Sequence, residues 1–278
     1  MLNIGVLIDI RAPEANKNGI LRKFEEMQAL ELQSCHVCIW DPGIYTAANA
    51  EALKNAAVQT GIEISALWAG WSGPAVWNFY DGPLTIGLVP MAYRSMRLKE
   101  LMAASDFAEK IGVTDMITHV GFLPEDPNDS DYINVISTLR HLALYMKNKG
   151  QYFLFECGHE TPTTLVRAIE DIGTGNLGIN FDTANLILYG KSDSVIAAEI
   201  FGKYVRNLHC KDGNYPIDGK NTGNEMPLGK GRANIENVLK VLYSVGYNGP
   251  LTIEREISGA EQIRDIIAAR DLLLKITN

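Results

Sequence analysis

Four short apolar runs in this chain each close on a side chain that binds metal ions. QYFLFE ends on Glu156, LGINFD on Asp182, VRNLH on His209 and LTIE on Glu254. Together they offer three hard carboxylates and one imidazole. That donor set suits a divalent ion of moderate hardness, Mn²⁺ first and Mg²⁺ or Co²⁺ next. Zn²⁺ fits less well, because it more often recruits further His or Cys. The three carboxylates outweigh a dication by one charge. The site is therefore expected to take neutral hydroxyl or carbonyl oxygens and to avoid phosphate at the metal itself.

The elements that must position these side chains follow one period. Each run is rich in β-branched or aromatic residues and short enough for a buried strand. A polar or glycine-bearing loop follows each, then a helical pattern. The same unit occurs earlier, with strands expected at 3–10, 35–40, 62–68 and 115–119. Helices are expected at 19–30, 47–59, 91–111 and 132–149, then after Thr161-Pro162, and at 194–204, 235–245 and 261–276. Eight sequential βα units predict right-handed parallel crossovers closing a (β/α)8 TIM barrel, a single domain over 1–278. An open doubly wound sheet would carry a glycine-rich phosphate loop after strand one. That place reads DIRAPEANKNG, without G-x-G-x-x-G. In a parallel barrel every strand C-terminus opens on one face, so Glu156, Asp182, His209 and Glu254 are expected around one mouth.

Composition narrows the function classes. The 278 residues carry a formal net charge of −8, which argues against a nucleic-acid partner. Four cysteines do not make a disulfide framework. Cys35 and Cys38 form a C-x-x-C, but within a strand residues three apart face opposite sides, so both read as small apolar fillers. The opening MLNIGVLIDI enters a strand directly, with no charged leader, and no apolar run spans a membrane. A soluble, cytoplasmic protein is the expectation. The loop at 69–90 carries Trp71, Trp77, Phe79 and Tyr80 among Gly and Pro. It reads either as a lid whose aromatics meet sugar C–H faces or as aromatics packed on the barrel rim.

The strings around the four ligands carry a resemblance. HVG (119–121), FECGHE (155–160), FDTAN (181–185), LHCKD (208–212), PLGKG (227–231) and LTIERE (251–256) occur in that order. The chain resembles the xylose-isomerase-like sugar isomerase/epimerase superfamily, most of all its ketose and sugar-phosphate 3-epimerase branch, related to tagatose epimerases. The resemblance implies that Glu156, Asp182, His209 and Glu254 bind one divalent metal, and that Glu156 and Glu254 also act as acid and base. It implies C3 epimerisation of a ketose or ketose phosphate through a cis-enediolate, and a homo-oligomer paired through the rim. Three alternatives stay open: an aldose–ketose or hydroxypyruvate-type isomerase, a dehydratase or lyase on a sugar derivative, and a non-catalytic sugar-binding barrel. The superfamily's abasic-site nucleases need a multi-metal cluster, for which five histidines and net charge −8 are poor material.

Further residues are ranked behind these. His119 closes strand four and reads as a sugar-hydroxyl contact or a buried structural histidine, as does His159. Lys211 shares parity with His209 and reads as a counter-charge or a phosphate contact. Asp212 is expected to support a ligand, and Glu256 to cap a strand end. Trp71 is expected in the sugar site. The tagatose-epimerase branch has a histidine where this chain has Asn185, and an arginine where it has Tyr215. Asn185 can hydrogen-bond a hydroxyl but cannot carry a proton. Arg232 is the candidate replacement for the arginine.

Overall fold

The computed structural model describes residues 3–277. Eight strands close one barrel: β1 (Ile4–Asp9), β2 (Ser34–Ile39), β3 (Glu63–Ala69), β4 (Asp115–Thr118), β5 (Tyr152–Glu156), β6 (Leu177–Asp182), β7 (Val205–Cys210) and β10 (Leu251–Ile253). All neighbours pair in parallel in chain order, and β10 closes onto β1 with Ile4 opposite Leu251. This is the expected (β/α)8 barrel. Of the four strands that carry the candidate ligands, two end one residue away from expectation: β7 runs on to Cys210, and Glu254 is the first residue beyond β10.

The outer layer contains α1 (Lys17–Ala29), α2 (Ala47–Thr60), α4 (Met91–Ile111), α5 (Ser130–Lys147), α6 (Pro162–Ile172), α8 (Ser194–Phe201), α9 (Ile235–Ser244) and α10 (Ala260–Thr277). Short helices α3 (Gly82–Thr85) and α7 (Asn185–Leu188) lie in loops at the mouth. The polar loop after β7 holds a small antiparallel pair, β8 (Asp212–Gly213) with β9 (Glu225–Met226). Local signals explain the helix starts and stops. Thr46 and Thr161 cap α2 and α6 with their side chains, and Gly61 and Gly173 end them in the left-handed region. Among the described residues no helix is long and apolar enough to cross a membrane.

Strand alternation divides the core in two. Outward side chains such as Cys35, Val37, Phe153 and Phe181 pack under the helices. Inward ones such as Cys38, Ala66, Ile117 and Leu154 fill the barrel. Cys35 and Cys38 fall into different clusters and are free thiols, so this C-x-x-C is packing material. Burial pushes both thiols up from their ordinary pKa.

The 69–90 loop is held by one side chain. Arg97 of α4 is fully buried and donates to the carbonyls of Ser72, Pro74, Thr85 and Gly87 at 2.7–3.1 Å. Its guanidinium lies 4.0 Å over the Trp71 ring and 4.6 Å from that of Tyr93. The loop then presses onto the end of β4, where Leu88 N–H donates to Val120 O at 2.8 Å. Gly87 and Gly121 both have positive φ there, and a Cβ on either would strike the facing backbone within 2.2 Å. Trp71 is thus a core residue, 3% exposed.

Arg97→Met would strand four carbonyls and remove the cation over Trp71. Urea denaturation should show a loss of roughly 3 kcal/mol or more, and proteolysis should move into the 72–86 segment. A loss below about 1 kcal/mol, within the range of a single ordinary hydrogen bond, would show that Arg97 does not hold the loop.

Candidate metal centre

Closing the barrel brings together side chains up to 98 positions apart. One donor atom from each of Glu156, Asp182, His209 and Glu254 lies within 4.8 Å of the other three. Ligands on opposite sides of a six-coordinate ion stand about 4.2 Å apart, given metal–oxygen distances of about 2.1 Å, so one ion can reach all four. The register accounts for the convergence. Asp182 sits opposite His209 across β6–β7, and Thr252 opposite His209 across β7–β10, which places Glu254 one layer above. Asp182 and His209 are fully buried. Glu156 and Glu254 line a cavity of about 1270 Å³ that opens at the mouth and runs along β1 toward the seam between α1 and α10.

The donors are already oriented. Asp182 Oδ1 accepts the N–H groups of Ala184 and Asn185 at 2.7 and 2.8 Å. Its Oδ2 is buried with no hydrogen bond, and Glu254 Oε2 has only a close approach to His209 Nδ1, whose hydrogen bond goes to Glu156 Oε1. Buried oxygens without donors are costly, and a cation supplies the partner they lack. Glu156 Oε2 accepts from Asn180 Nδ2. His209 Nδ1 lies 2.9 Å from both Glu156 Oε1 and Glu254 Oε2. The donor set and its orphaned oxygens therefore fit a divalent ion.

Charge in this cluster is tightly linked. Burial opposes an imidazolium at His209, but Glu156 and Glu254 outweigh it and hold its pKa well above the ordinary imidazole range. Burial also pushes the carboxyls up. Asp182 goes well above its usual range, with Lys211 opposing, whereas at Glu254 the Lys211 ammonium and His209 win and hold it well below. Lys211 is 2% exposed. Its Nζ lies 3.0 Å from Glu256 Oε1 and 3.5 Å from both Asp182 Oδ2 and Glu254 Oε1. Burial would lower its pKa, but these carboxylates raise it well above the normal value. Lys211 thus cancels the one charge by which three carboxylates exceed a dication, a balance the ligand count alone had missed.

The remaining candidates separate. His119 and Asn185 line the cavity. His119 Nδ1 donates to Glu156 O at 3.2 Å, and burial lowers its pKa to about 4, so the ring is neutral and Nε2 is left as an acceptor. Asn185 Oδ1 accepts from Lys211 Nζ at 3.4 Å. His159 does not reach the cavity. It is 1% exposed behind Trp77, Phe122 and Tyr189, with both ring nitrogens unpartnered, and burial keeps its pKa well below normal. Trp71, expected to face a sugar, is buried under Arg97 and does not line the cavity, whereas Trp77 does. Trp77 is 40% exposed, lines the cavity and lies 5.1 Å from the His119 ring. Arg232 is exposed and outside the cavity, and its backbone N–H donates to Gly213 O. Tyr215 hydroxyl donates to Ser192 O at 3.4 Å on the loop surface.

Asp212 supports the loop and not a ligand. Its carboxylate accepts the N–H groups of Gly213, Gly229, Gly231 and Ala233 at 2.8–2.9 Å. Any Cβ on Gly231 would meet Asp212 Oδ1 at 2.3 Å, so the Gly229-Lys230-Gly231 turn is wound around this one carboxylate. Sequence reasoning passed over the residues under the ligands: His36, Asn180, Asn207 and Thr252, all buried. Their signal was available. Asn180, Asn207 and Thr252 each stand two places before a ligand, and strand parity puts them on the same inward face.

Comparison with known proteins agrees with this geometry. Residues 24–275 match the model of the xylose isomerase-like TIM barrel family. A xylose isomerase domain protein from Planctomyces limnophilus is 33% identical, with TM-score 0.90 over 99% of this chain and 97% of that one. D-psicose 3-epimerase from Clostridium cellulolyticum H10, solved with D-tagatose, shares the fold at TM-score 0.72 and 16% identity, over 99% of both chains. An uncharacterized protein of Methanocaldococcus jannaschii is 25% identical over 205 residues, 66% of this chain and 64% of that protein. The chain belongs to the xylose isomerase-like TIM barrel family.

Proposed function

We propose that this protein is a divalent-metal-dependent sugar isomerase or epimerase that moves a proton at a carbon next to a ketose carbonyl, with C3 epimerisation as its reaction. The observation that carries this reading is the division among the four ligands. Asp182 and His209 are sealed below the cavity, whereas Glu156 and Glu254 reach it. The same two stand at the ends of the ligand arc, on β5 and just past β10, three strands apart around the barrel. Ligands needed only to hold an ion have no reason to divide in this way. Carboxylates flanking a substrate can serve its two faces.

Bound dication supplies Lewis acidity toward the carbonyl, which acidifies the neighbouring C–H. Glu156 or Glu254 takes the C3 proton, and the opposite glutamate returns one to the other face, inverting that carbon. His119 Nε2 accepts from a sugar hydroxyl, and the Asn185 amide bonds another. Trp68 and Trp77, on the cavity wall, cover the apolar C–H face of the ring and exclude water. Lys211 favours the ionised form of Glu254 and opposes the burial that disfavours it at Asp182. A ketose or its phosphate is the substrate class, and Mn²⁺ the ion of first choice.

Unequal surroundings of the two glutamates favour a second reading. Glu156 is tied by Asn180 and His209, while Glu254 is the more exposed and faces Lys211. A single working base would carry the proton between C1 and C2, making the protein an aldose–ketose isomerase.

Incubating Mn²⁺-loaded protein in D₂O with ketoses and their phosphates separates these readings by NMR. Label at C3 with the C3 epimer is the expected outcome. Label at C1 or C2 with aldose formation would transfer the assignment to the isomerase. Absence of exchange from every sugar would overturn the proton-transfer reading. Glu156→Gln and Glu254→Gln should each lower kcat by about 10²- to 10⁴-fold, the usual worth of a positioned acid or base. For an epimerase both losses are large; for the isomerase one is small.

Calorimetric titration of chelator-treated protein should show one Mn²⁺ bound per chain. Asp182→Asn should weaken it by more than about 100-fold, beyond what residues behind the ligands contribute. Unchanged affinity in that variant would place the ion elsewhere.

A further inference from the structure

Beneath the ligands the barrel interior holds a continuous polar chain where aliphatic layers usually fill such a barrel. It begins at Arg206, whose Nη2 and Nε donate to the two oxygens of Asp115 at 3.1 and 3.2 Å. Asp115 Oδ2 accepts from Asn207 Nδ2 at 2.8 Å. Asn207 Oδ1 lies 3.0 Å from His36 Nε2, and Thr252 Oγ1 lies 3.2 Å from the same nitrogen. His36 Nδ1 lies 2.9 Å from His209 Nε2. His36 is fully buried, and Asn207 is 2% exposed.

Each link dictates the next. The Asp115 carboxylate, paired with Arg206, only accepts, so it takes the NH₂ end of Asn207 and leaves the amide oxygen toward His36. That oxygen only accepts, so His36 carries its proton on Nε2. No carboxylate oxygen touches His36, and a buried imidazolium without a counter-ion is costly, so the ring is neutral and Nδ1 is a lone pair. It therefore accepts from His209, whose Nε2 must hold a proton. The nitrogen of His209 left for an ion is Nδ1, the one that faces Glu156 and Glu254.

We propose that Arg206, Asp115, Asn207 and His36 form a positioning relay through the barrel that fixes the tautomer of His209 and presents Nδ1 to a divalent ion. None of the four touches the cavity contents; they act through His209. The relay rests on the metal-site reading of the four ligands, and its test distinguishes the two. It also gives a reason for three buried polar side chains, Asp115, Asn207 and His36, in the barrel interior, where aliphatic packing would do for stability alone.

Mn²⁺ affinity measured by calorimetry, alongside thermal unfolding, tests the relay without any substrate. His36→Phe keeps the ring volume but removes the acceptor. It should weaken Mn²⁺ binding about 10- to 100-fold, as loss of a ligand's hydrogen-bond partner does. His36→Asn places an amide oxygen near the former Nδ1 and should recover most of that loss. In Mg²⁺-loaded protein, ¹⁵N shifts of the His209 ring should report a proton on Nε2. Asp115→Asn frees the Asn207 amide to turn over and reverse the His36 tautomer, so Mn²⁺ affinity should fall in that variant as well. Wild type that binds no Mn²⁺ would sink the metal site and the relay together. Wild type that binds Mn²⁺, with His36→Phe or Asp115→Asn binding it equally well, would sink the relay alone.

Discussion

Three carboxylates held together inside a protein are the constraint on which the rest of this molecule depends. Glu156, Asp182 and Glu254 converge in a buried cluster, where like charges repel strongly and burial penalises each. Two features make the arrangement tolerable. Lys211 enters the cluster as a buried cation, and every carboxylate oxygen not bonded to protein points at a common centre. The residual charge is then that of a dication, with opposite sign. The polar frame thus has the charge and the unpartnered oxygens to receive a dication. Glu256, mostly exposed and 3.0 Å from Lys211, links that balance to the solvent side.

The barrel makes such a concentration of charge affordable because its backbone does not move to form it. Eight parallel strands fix the direction of every inward side chain, and the register across β6, β7 and β10 sets the heights of the ligands. One layer down the same alternation delivers Asn180 and His36, which meet Glu156 Oε2 and His209 Nε2, and Asn207 and Thr252, which meet His36. Outside the strands, order at the mouth comes from single ionic groups that bind loop backbone: Arg97 gathers four carbonyls and Asp212 four N–H groups. The two are mirror solutions to one problem. A loop without secondary structure has unpaired backbone polarity, and one buried charge of the right sign can satisfy it.

How much of this was legible in the sequence follows from where the periodicity lies. The barrel and the convergence of Glu156, Asp182, His209 and Glu254 at its mouth were readable because strand length, alternation and the recurrence of βα units are local signals. His36 was passed over because a histidine inside an apolar strand looks like any core histidine until the strand facing it across the barrel is known. Trp71 and Trp77 could not be told apart, since a loop has no period to say which ring turns inward. The deciding residue, Arg97, lies on a helix some twenty positions away. Asp212 was misread for a related reason: it adjoins the ligand strand, but its partners lie up to twenty-one residues downstream.

The departures from the tagatose-epimerase pattern look different once the charges are placed. A histidine at position 185 would stand beside Lys211 and bring a second potential cation to a cluster already balanced against a dication. Asn185 accepts from Lys211 through its oxygen and turns its amide group to the cavity without adding charge. Tyr215 lies on the loop surface, so the position that carries an arginine in that branch does not face the cavity here. His119, Asn185, Trp68 and Trp77 give the cavity an uncharged stretch of lining, while its guanidinium and ammonium groups come from other places in the chain, Arg11, Lys23 and Arg255. The charge that the tagatose-epimerase branch carries on the loop after β7 is therefore drawn here from the segment after β1, from α1 and from the segment after β10.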